Sequence, residues 1–434
     1  MSGADTTGAG LSGADLSGAA LSGADLTGAA GGLTRLAIVG IHGHGSSHVR
    51  HAQELVRRGE ALLVAVADPR PAGDGALGAE VRQFASLPEL LAAVTVDVVV
   101  LCTPIHTHFA LTKLAIQAGV DVLLEKPPVT SVADFAALAA VIEATGRRCQ
   151  VGFQSLGSET ISVVRERIAA GVIGTVTGVS ASGAWLRTRG YWTRAAWAGK
   201  RVLNGIEVVD GVITNPLAHA VATALCLAGA QRAGEIASIE LDQYRANDIA
   251  CDDTSVVRVR TVAGLPITLG LTVCAPERSE PFITVQGSTG RIVVFYTLDL
   301  VQVFQDGSPD PVTTSHGRRP LLDDLLMLRS GASTGLLADF ADTEGFTLVL
   351  DAVRRAEDPL PIPDAHVDWV GEGADAHPVV RDIGAWIARA GAEHKTFAEL
   401  GAPWALAAHA AATRAPEAAA IPAAAAGSPH PVST

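Results

Sequence analysis

Lys126 is the residue of this sequence best placed to move a proton. It follows an apolar run, Val120–Leu124, that predicts a buried strand, and it precedes Pro127 and Pro128, which keep the backbone extended. Partial burial disfavours the charged ammonium and lowers the pKa of a lysine, so Lys126 could take a proton from a hydroxyl group. The alternative is a surface lysine that only ends a strand.

A glycine-rich turn near the start of the patterned sequence could bind a pyrophosphate. The apolar run Leu36–Val39 ends at Gly40, and a helical pattern follows the turn. In this setting Gly40 permits a sharp turn, Gly45 lets helix and strand pack closely, and the helix N-terminus faces the pyrophosphate. The usual G-x-G-x-x-G spacing requires glycine where this chain has His42, so Gly43 would provide part of the close backbone approach. His42, within the turn, is itself a candidate contact of the cofactor. A plain turn that needs glycine is the alternative.

Two charged residues after the second predicted strand bear on the nucleotide. Asp68 ends the run Ala61–Ala67, where a carboxylate can accept hydrogen bonds from the ribose hydroxyls of a dinucleotide. Arg70 could instead pair with a 2′-phosphate. Asp68 therefore favours NAD and Arg70 favours NADP, with a slight lean to NAD. A simple turn that starts at Asp68 is the alternative.

The elements that must position these residues fall into two successive patterns. Up to about residue 155, strand-like apolar runs alternate with helical segments, which predicts a parallel sheet covered on both faces. Beyond it, several strand-like runs follow one another with polar turns between them, which indicates antiparallel pairing. The predicted fold is an α/β Rossmann domain at 33–155, followed by an α+β domain with a largely antiparallel open sheet at 156–400.

Both ends of the chain depart from these patterns. Residues 1–32 hold a five-residue repeat that resembles pentapeptide repeats, whose coils stack into a β-helix with the central Leu inside. A solenoid needs at least about three stacked units, so a flexible low-complexity extension is the main expectation and a small docked cap is the alternative. Residues 401–434 are rich in Ala and Pro and are predicted to form a tail.

Two motifs at the ends of the third and fourth strands carry a family resemblance. Residues 102–108 read Cys-Thr-Pro-Ile-His-Thr-His, and residues 124–128 read Leu-Glu-Lys-Pro-Pro. Together, over about residues 33 to 400, they resemble the glucose–fructose oxidoreductase/inositol dehydrogenase/MocA family. The resemblance implies a catalytic or substrate-orienting role for Lys126. It also implies that four residues help to hold the cofactor: Thr103, Pro104, His108 and Glu125.

A second motif of that family, Gly-Gly-x-x-x-Asp-x-x-x-His, corresponds here to Asp210–His219. His219 stands at the motif's histidine, which implies a proton relay or a substrate contact; an ordinary interior histidine is the alternative. Asn215 stands at the aspartate position and cannot act as a base. It could bind a substrate hydroxyl, or it could be the N-cap of a helix over Pro216–Leu227. Without the carboxylate, acid–base work would fall on Lys126.

Between these motifs, aromatic residues alternate with cations from Arg187 to Lys200. Aromatic rings and cations suit a polyhydroxylated or anionic substrate, through stacking and charged hydrogen bonds. Tyr191, Arg194 and Trp197 are therefore candidate substrate contacts. An irregular loop packed by its own aromatic residues is the alternative.

Composition narrows the class of protein. The formal net charge is −13 and no basic run occurs, which argues against nucleic acid and anionic membranes as partners. The five cysteines are widely spaced and form no C-x-x-C, which predicts buried thiols and a cytoplasmic protein. No metal site is expected, because the histidines near the glycine turn lack carboxylates or cysteines at metal-binding spacing. By analogy with such folds, we expect a homo-oligomer.

The sequence thus predicts an oxidoreductase that moves a hydride between NAD or NADP and a CH–OH carbon of a sugar, polyol or cyclitol-like substrate. Lys126 would exchange the hydroxyl proton and His219 would orient it. Two alternatives stay open. A dinucleotide-binding sensor without chemistry is motivated by Asn215, and transient use of the cofactor in a redox-assisted elimination is known among related glycoside-cleaving enzymes.

Overall fold

A computed structural model describes residues 32–73 and 75–414. The five-residue repeat and residues 415–434 lie outside the described residues, so what we expect of them stays a prediction. From residue 34 to residue 151, six strands occur: β1 (Thr34–Val39), β2 (Ala61–Ala67), β3 (Arg82–Phe84), β4 (Val98–Leu101), β5 (Asp121–Leu124) and β6 (Cys149–Val151). Four helices lie between them: α1 (Gly45–Arg57), α2 (Leu87–Ala93), α3 (His108–Gln117) and α4 (Val132–Thr145).

These six strands form one parallel sheet in the order β3-β2-β1-β4-β5-β6. All four residues of β4 and of β5 are buried, as a parallel sheet covered on both faces requires. The strand order reverses between β1 and β4. In open α/β sheets, ligands bind outside the carboxyl ends of the strands at this point. The predicted Rossmann fold is confirmed.

The second part of the chain has strands and helices in a different order. Its strands are β7 (Val176–Ala184), β8 (Val202–Leu203), β9 (Ile206–Glu207), β10 (Ile236–Arg245), β11 (Thr254–Thr261), β12 (Pro266–Thr272), β13 (Phe282–Gly287), β14 (Gly290–Phe295), β15 (Leu300–Gln305), β16 (Val312–Ser315), β17 (Leu360–Pro361), β18 (Val367–Val370) and β19 (His377–Val380). Its helices are α5 (Thr160–Ala169), α6 (Arg189–Trp192), α7 (Ala218–Ala228), α8 (Leu321–Arg329), α9 (Glu344–Arg355), α10 (Ile383–Glu393) and α11 (Pro403–Arg414).

Nine of these strands form a mixed sheet in the order β16-β15-β14-β13-β7-β12-β11-β10-β17. Most neighbours are antiparallel, as predicted, whereas β7 runs parallel to β12 and β10 runs parallel to β17. The strand β7 stands at the centre of the sheet although it comes first in the chain. An α+β domain with a largely antiparallel sheet is therefore confirmed.

The small residues of β7 let a helix approach the sheet closely. A Cβ atom on Gly183 would lie 2.7 Å from Cδ1 of Leu217, the residue that precedes α7. Every residue of α7 except His219 and Ala228 is buried, and one continuous apolar core joins this helix to both sheets. This packing fixes the loop before α7, which carries the second sequence motif.

The predicted tail at 401–434 begins too early and is corrected here. The helix α11 belongs to the folded part, because its Trp404 side chain is 1% exposed and packs edge-on against Tyr244 at 5.0 Å and against Phe397 at 4.9 Å between ring centroids. Alanine is the best helix former, so an Ala-rich segment with one large apolar residue can dock as a helix. Composition alone does not show this.

All five cysteines are free thiols, and four of them are buried, in agreement with the prediction of buried thiols. The cytoplasmic location and the homo-oligomer stay predictions. None of the helices in the described ranges has the length and apolar character needed to cross a lipid bilayer.

Candidate active site

The glycine turn has the geometry that the dinucleotide motif requires. Gly40 has a φ of +81°, and a Cβ atom there would lie 2.2 Å from the carbonyl oxygen of Cys102 at the end of β4. A Cβ atom on Gly45 would lie 1.8 Å from the carbonyl oxygen of Gly40. Gly43, with a φ of +60°, provides the second left-handed residue of the turn. The turn therefore needs glycine for conformation and for close packing.

The helix α1 begins directly after this turn. No side chain caps it, and no acidic residue lies among its first residues. A helix N-terminus of this kind favours a bound anion through its backbone dipoles. The turn fits the pyrophosphate of a dinucleotide.

Asp68 lies beside the turn at the end of β2 and is 6% exposed. Its carboxylate accepts hydrogen bonds from the backbone N–H of Ile41 at 3.1 Å and from the N–H of Arg70 at 3.0 Å, and it lies 3.0 Å from Nδ1 of His42. Burial by itself would raise the pKa of Asp68, but these hydrogen bonds have the larger effect and lower the pKa to about 2. Asp68 is therefore an anion at the place where a ribose would bind. The predicted cofactor contact of His42 stays a prediction, since its ring here bonds Asp68.

Thr103 and Pro104 follow β4, Thr103 lies beside the turn, and the contact of both residues with a cofactor stays a prediction. A Cβ atom on Gly40 would lie 3.3 Å from Cγ2 of Thr103. The contact of His108 with the cofactor stays a prediction; here the side chain is buried, and its ring nitrogens lie 2.8 Å from the carbonyl oxygens of Pro127 and Thr103. His108 ties the loop after β4 to the loop after β5.

Glu125, which directly follows β5, is the hub of a second cluster of polar groups. Its Oε1 lies 2.8 Å from Nε2 of His48 and 3.3 Å from Nε2 of His44, and it accepts a hydrogen bond from Gln154 at 2.9 Å. Burial raises the pKa of Glu125, but the hydrogen bonds from the two histidines hold it well below its usual range. A Cβ atom on Gly152 would lie 2.9 Å from this carboxylate. Its direct contact with a cofactor stays a prediction.

His44, His48 and Glu125 also bring three possible ligand atoms within 4.8 Å of one another. The sequence missed this cluster because its members come from the glycine turn and from the end of β5. Each already has a hydrogen-bonded partner within the cluster. The expectation that the chain holds no metal ion stays a prediction.

Lys126 extends from the end of β5 and is half-buried. Its Nζ donates hydrogen bonds to Oδ1 of Asn215 at 2.6 Å and to the carbonyl oxygen of Asn215 at 3.1 Å. Burial lowers the pKa of Lys126, and the nearby negative charges of Glu125 and Asp210 oppose part of that effect. The structure thus brings together the two sequence motifs through these two side chains.

Asn215 is not a helix cap. The helix α7 begins at Ala218, two residues later than predicted, and the residue at its N-cap position is Leu217, which makes no side-chain hydrogen bond. The Asn215 side chain instead accepts from Lys126 and donates through Nδ2 to Oδ1 of Asp210 at 2.6 Å. Of the two roles left open for Asn215, the structure removes capping.

His219 lies in the first turn of α7, with Phe153 packed edge-on at 5.9 Å between ring centroids. Burial lowers its pKa to about 3, and the charge of Lys126 acts in the same direction, so the imidazole is neutral. Its Nδ1 is buried and has no hydrogen-bond partner among the described residues. A buried ring nitrogen without a partner is costly, which is typical of an atom that bonds a ligand.

The loop from Arg187 to Lys200, in which aromatic residues alternate with cations, packs on itself next to Asp210. The guanidinium carbon of Arg194 lies 3.6 Å from the ring centroid of Tyr191 and 4.6 Å from that of Trp197. An Nη2 atom of Arg194 lies 3.3 Å from Oδ2 of Asp210. All three candidate substrate contacts therefore lie in one cluster that touches Asp210, and their contact with a substrate stays a prediction.

Asp210 is a residue of the candidate site that sequence reasoning missed. It occupies a glycine position of the family motif, it is 3% exposed, and its carboxylate accepts hydrogen bonds from Asn215, from the backbone N–H of Gly199 and from Arg194. The available signal was a charged residue at a position where the motif has glycine. Its partners come from its own loop and from the Arg187–Lys200 loop, and only the fold brings these two loops together.

Comparisons with known proteins confirm the family resemblance that the sequence motifs indicated. Residues 34–153 match the family described as oxidoreductase family, NAD-binding Rossmann fold, and residues 161–293 match the GFO/IDH/MocA C-terminal domain. Together the two matches cover more than half of the chain. Residues 1–29 match pentapeptide repeats in eight copies.

Curated relatives match less than half of the chain. Inositol 2-dehydrogenase of Rhizobium meliloti (strain 1021) is 35% identical over 141 residues, which are 32% of this chain and 42% of the relative. D-glucoside 3-dehydrogenase of Escherichia coli (strain K12) is 30% identical over 180 residues, which are 41% of this chain and 50% of the relative. The chain thus matches half or less of the length of these two relatives.

Solved structures resemble the fold over a longer stretch. The WlbA dehydrogenase from Bordetella pertussis, in complex with NADH and UDP-GlcNAcA, has a TM-score of 0.63 and 24% identity, and the match covers 74% of this chain and 96% of that one. Levoglucosan dehydrogenase in complex with NADH has a TM-score of 0.62 and 17% identity, over 74% and 95% of the two chains. At these identities, the likeness establishes the fold.

Proposed function

The chain belongs to the GFO/IDH/MocA oxidoreductase family, and from this membership we propose that it is an NAD-dependent dehydrogenase or reductase of a polyhydroxylated small molecule. The observation that carries the proposal is the contact of Lys126 Nζ with Asn215 Oδ1 at 2.6 Å. It puts an amine of lowered pKa beside a polar group that can hold a hydroxyl, and His219, whose Nδ1 has no partner among the described residues, follows four residues after Asn215.

Three features of the Rossmann half fit a bound dinucleotide. Gly40 and Gly45 leave space that a Cβ atom would fill, α1 begins without a cap, and Asp68 is ionised at the end of β2. A buried anion repels a 2′-phosphate and accepts hydrogen bonds from ribose hydroxyls, so Asp68 favours NAD over NADP. The side chain of Arg70 is 68% exposed and bonds Asp68, and its charge is therefore already paired.

The bound cofactor would supply the hydride acceptor or donor. For alcohol oxidation, the neutral amine of Lys126 takes the hydroxyl proton while Asn215 keeps the Nζ atom in place through its Oδ1. The neutral ring of His219 bonds the hydroxyl through Nδ1 and orients it. For the reverse reaction, the ammonium of Lys126 returns the proton.

The loop around Arg194 supports a polyhydroxylated substrate. Tyr191 and Trp197 supply aromatic rings, each with one face packed against the guanidinium of Arg194, and that guanidinium also contacts Asp210. Sugar rings stack on aromatic faces, and charged groups form strong hydrogen bonds with hydroxyls. The names of inositol 2-dehydrogenase and D-glucoside 3-dehydrogenase point to the same class of compound.

The first experiment is a fluorescence titration of the purified protein with NADH and with NADPH. We expect tighter binding of NADH than of NADPH, and we expect Asp68→Ala to reduce or reverse this preference because the repulsive charge is gone. Equal affinity for both cofactors in the wild type would contradict the role of Asp68. A panel of cyclitols, polyols and glycosides, followed at the nicotinamide absorbance, then identifies the substrate.

The decisive variant is Lys126→Met, which keeps most of the side-chain volume and removes the amine. Loss of a general base lowers the rate by about 10²–10⁴-fold, while the dissociation constant for NADH changes little. Lys395→Met is the matched control, since Lys395 forms only a half-exposed ion pair with Glu393 at 3.0 Å. Full turnover by Lys126→Met would overturn the proposal.

Two other outcomes have a clear meaning. NADH binding without turnover on any member of the panel would favour a sensor, the alternative that Asn215 suggests. Product formation without net accumulation of NADH would indicate a redox-assisted elimination. In that case Lys126 would still act on a hydroxyl proton, and the class of reaction would change.

A further inference from the structure

We propose that Asp210 is a positioning residue, which supplies through Asn215 the negative charge that the family motif provides with an aspartate at position 215. This inference rests on the proposed function. In the motif the carboxylate would stand next to the lysine; here an amide stands there and the carboxylate stands one hydrogen bond behind it. The series runs from Lys126 Nζ to Asn215 and on to Asp210, with contacts of 2.6 Å and 2.6 Å.

The amide of Asn215 has to be oriented for this contact to be useful. Its carbonyl oxygen accepts a hydrogen bond from Lys126, and its NH₂ group can only donate. An ionised carboxylate only accepts, so Asp210 bonds the NH₂ end and holds the oxygen toward Lys126. If the Asn215 amide were flipped, its NH₂ group would face the Nζ of Lys126, and two donors would meet. Asp210 thus decides which end of Asn215 the lysine meets.

Asp210 is also held by hydrogen bonds from the Arg187–Lys200 loop. Its Oδ2 accepts from the backbone N–H of Gly199 at 2.8 Å and lies 3.3 Å from Nη2 of Arg194, while its Oδ1 is left for Asn215. The side chain is 3% exposed, and its three partners are all donors. A buried carboxylate with only donors around it is held in one orientation.

The charge of Asp210 acts on Lys126 together with other groups. Burial lowers the pKa of Lys126, and the charges of Glu125 and Asp210 oppose this effect. The titratable and charged side chains that face Lys126 come from five elements and are Glu125 after β5, Asp210 before α7, Arg194 after α6, His219 on α7 and His44 before α1. Removing the charge of Asp210 would therefore lower the pKa of Lys126 further.

Three variants separate charge from shape. Asp210→Asn keeps the shape and removes the charge. Asn215→Asp puts a second carboxylate 2.6 Å from the first, where the two cannot both be ionised. The double variant Asp210→Asn/Asn215→Asp exchanges the two groups and restores the family's order. Asp242→Asn is the matched control, because Asp242 is a buried aspartate on β10 that bonds the N–H of Ala398.

The first readout is the pH profile of turnover in the oxidation direction. Rate rises as Lys126 loses its proton, so the acid limb reports the pKa of Lys126. We expect Asp210→Asn to move this limb down by about one pH unit and to lower kcat roughly 100-fold, since misplacing a catalytic group by about 1 Å has an effect of that size. We expect the double variant to recover most of kcat, with a limb above that of the wild type.

The second readout does not require turnover. The oxidised cofactor carries a positive charge on its nicotinamide ring, so its affinity should rise as Lys126 loses its proton. A titration with NAD⁺ across pH should show a break at the pKa of Lys126, and this break should be absent in Lys126→Met. We expect the break to move down in Asp210→Asn and to stay in place in Asp242→Asn.

The outcomes distinguish this inference from the proposed function. If the break moves with Asp210→Asn but no compound of the panel is turned over, the charge role of Asp210 stands and the proposed reaction fails. If turnover occurs and neither limb nor break moves in Asp210→Asn, Asp210 only supports the fold and the inference is wrong. If Asp210→Asn does not fold, the double variant decides: a break at or below that of the wild type overturns the inference.

Discussion

The glycine turn at Gly40–Gly45 and the loop at Asp210–His219 both contribute to the candidate site, and different kinds of contact hold them. The turn is fixed by backbone: the N–H of Gly40 donates to the carbonyl of Ala67 at 2.8 Å, and two of its glycines touch backbone carbonyl oxygens. The loop is fixed by side chains that bond Lys126 and Arg194. The turn should therefore be sensitive to added volume, and the loop to changes of charge.

The largest effect is expected when volume is added to the turn. In Gly40→Ala the new Cβ atom meets the carbonyl oxygen of Cys102 at 2.2 Å, at a φ of +81°. Left-handed strain of about 1–2 kcal/mol and overpacking of about 1–3 kcal/mol together lower the free energy of unfolding by roughly 3 kcal/mol. Denaturant titration measures this loss, and NADH titration should show weaker binding.

The control for that variant is Gly59→Ala. Gly59 follows α1 with a φ of +70°, and nothing lies within 4 Å of a Cβ atom built there. Only the left-handed strain of about 1–2 kcal/mol applies, and NADH binding should not change. Equal losses in the two variants would show that close packing at Gly40 is unimportant.

The next effect concerns a buried charge behind the loop. Asp252 is 0% exposed, and a Cβ atom on Gly211 would lie 1.9 Å from its Oδ1. Burial raises the pKa of Asp252 from 3.8 to about 6. Because the folded state holds this proton more tightly than the unfolded state, Asp252 destabilises the fold above about pH 6, and the penalty disappears as the pH falls toward 4.

Asp252→Asn removes this pH dependence. Two pKa units correspond to about 3 kcal/mol, so lowering the pH from 7 to 4 should raise the free energy of unfolding of the wild type relative to the variant by about that amount. Denaturant titrations of both proteins at the two pH values measure the change. If the difference in free energy of unfolding between the wild type and Asp252→Asn did not vary with pH, a raised pKa of Asp252 would be contradicted.

Asp68, beside the glycine turn, should show the opposite sign. Its pKa is lowered to about 2, so its ionised form stabilises the fold above about pH 4, and this contribution is lost as the pH falls through 2. The difference between the pKa of Asp68 in the unfolded and in the folded state corresponds to about 2 kcal/mol. The advantage of the wild type over Asp68→Asn should therefore shrink as the pH is lowered from 6 toward 2, as followed by denaturant titration without cofactor. An advantage that grew on acidification would show that the sign is wrong.

The smallest effect is expected where only local structure is touched. Ser131 caps α4 by accepting a hydrogen bond from the N–H of Asp134 at 3.1 Å, far along the chain from the loop before α7. Ser131→Ala should lower the melting temperature slightly, by the equivalent of about 1 kcal/mol, and should leave turnover unchanged. A large loss of activity would mean that α4 is coupled to the site.

Much of the Rossmann half could be predicted because its signals are local. The runs at Ala61–Ala67 and Val98–Leu101 are buried strands, and the residues that follow them are at the carboxyl edge of the sheet. The parallel topology then brings Gly40, Asp68 and Lys126 to one edge, since successive strands of such a sheet end on the same side. Position in the chain was enough to predict position in space.

The loop half could be predicted only in part. The motif identified His219 and Asn215, but the preference of asparagine for helix caps left open an N-cap role that the structure excludes. A cap depends on where the helix begins, and packing of Leu217 against Gly183 accompanies a start at Ala218. The packing of Leu217, and not the preference of Asn215 for a cap position, therefore goes with the observed start of α7.

The sequence by itself determined the two kinds of sheet, the glycine turn and the presence of a lysine at the end of β5. Tertiary structure decided which groups that lysine meets: Asn215, 89 residues away, and behind it Asp210. The physical reason is that hydrophobic periodicity and glycine conformation act over a few residues, whereas hydrogen bonds between buried side chains depend on packing that joins distant segments.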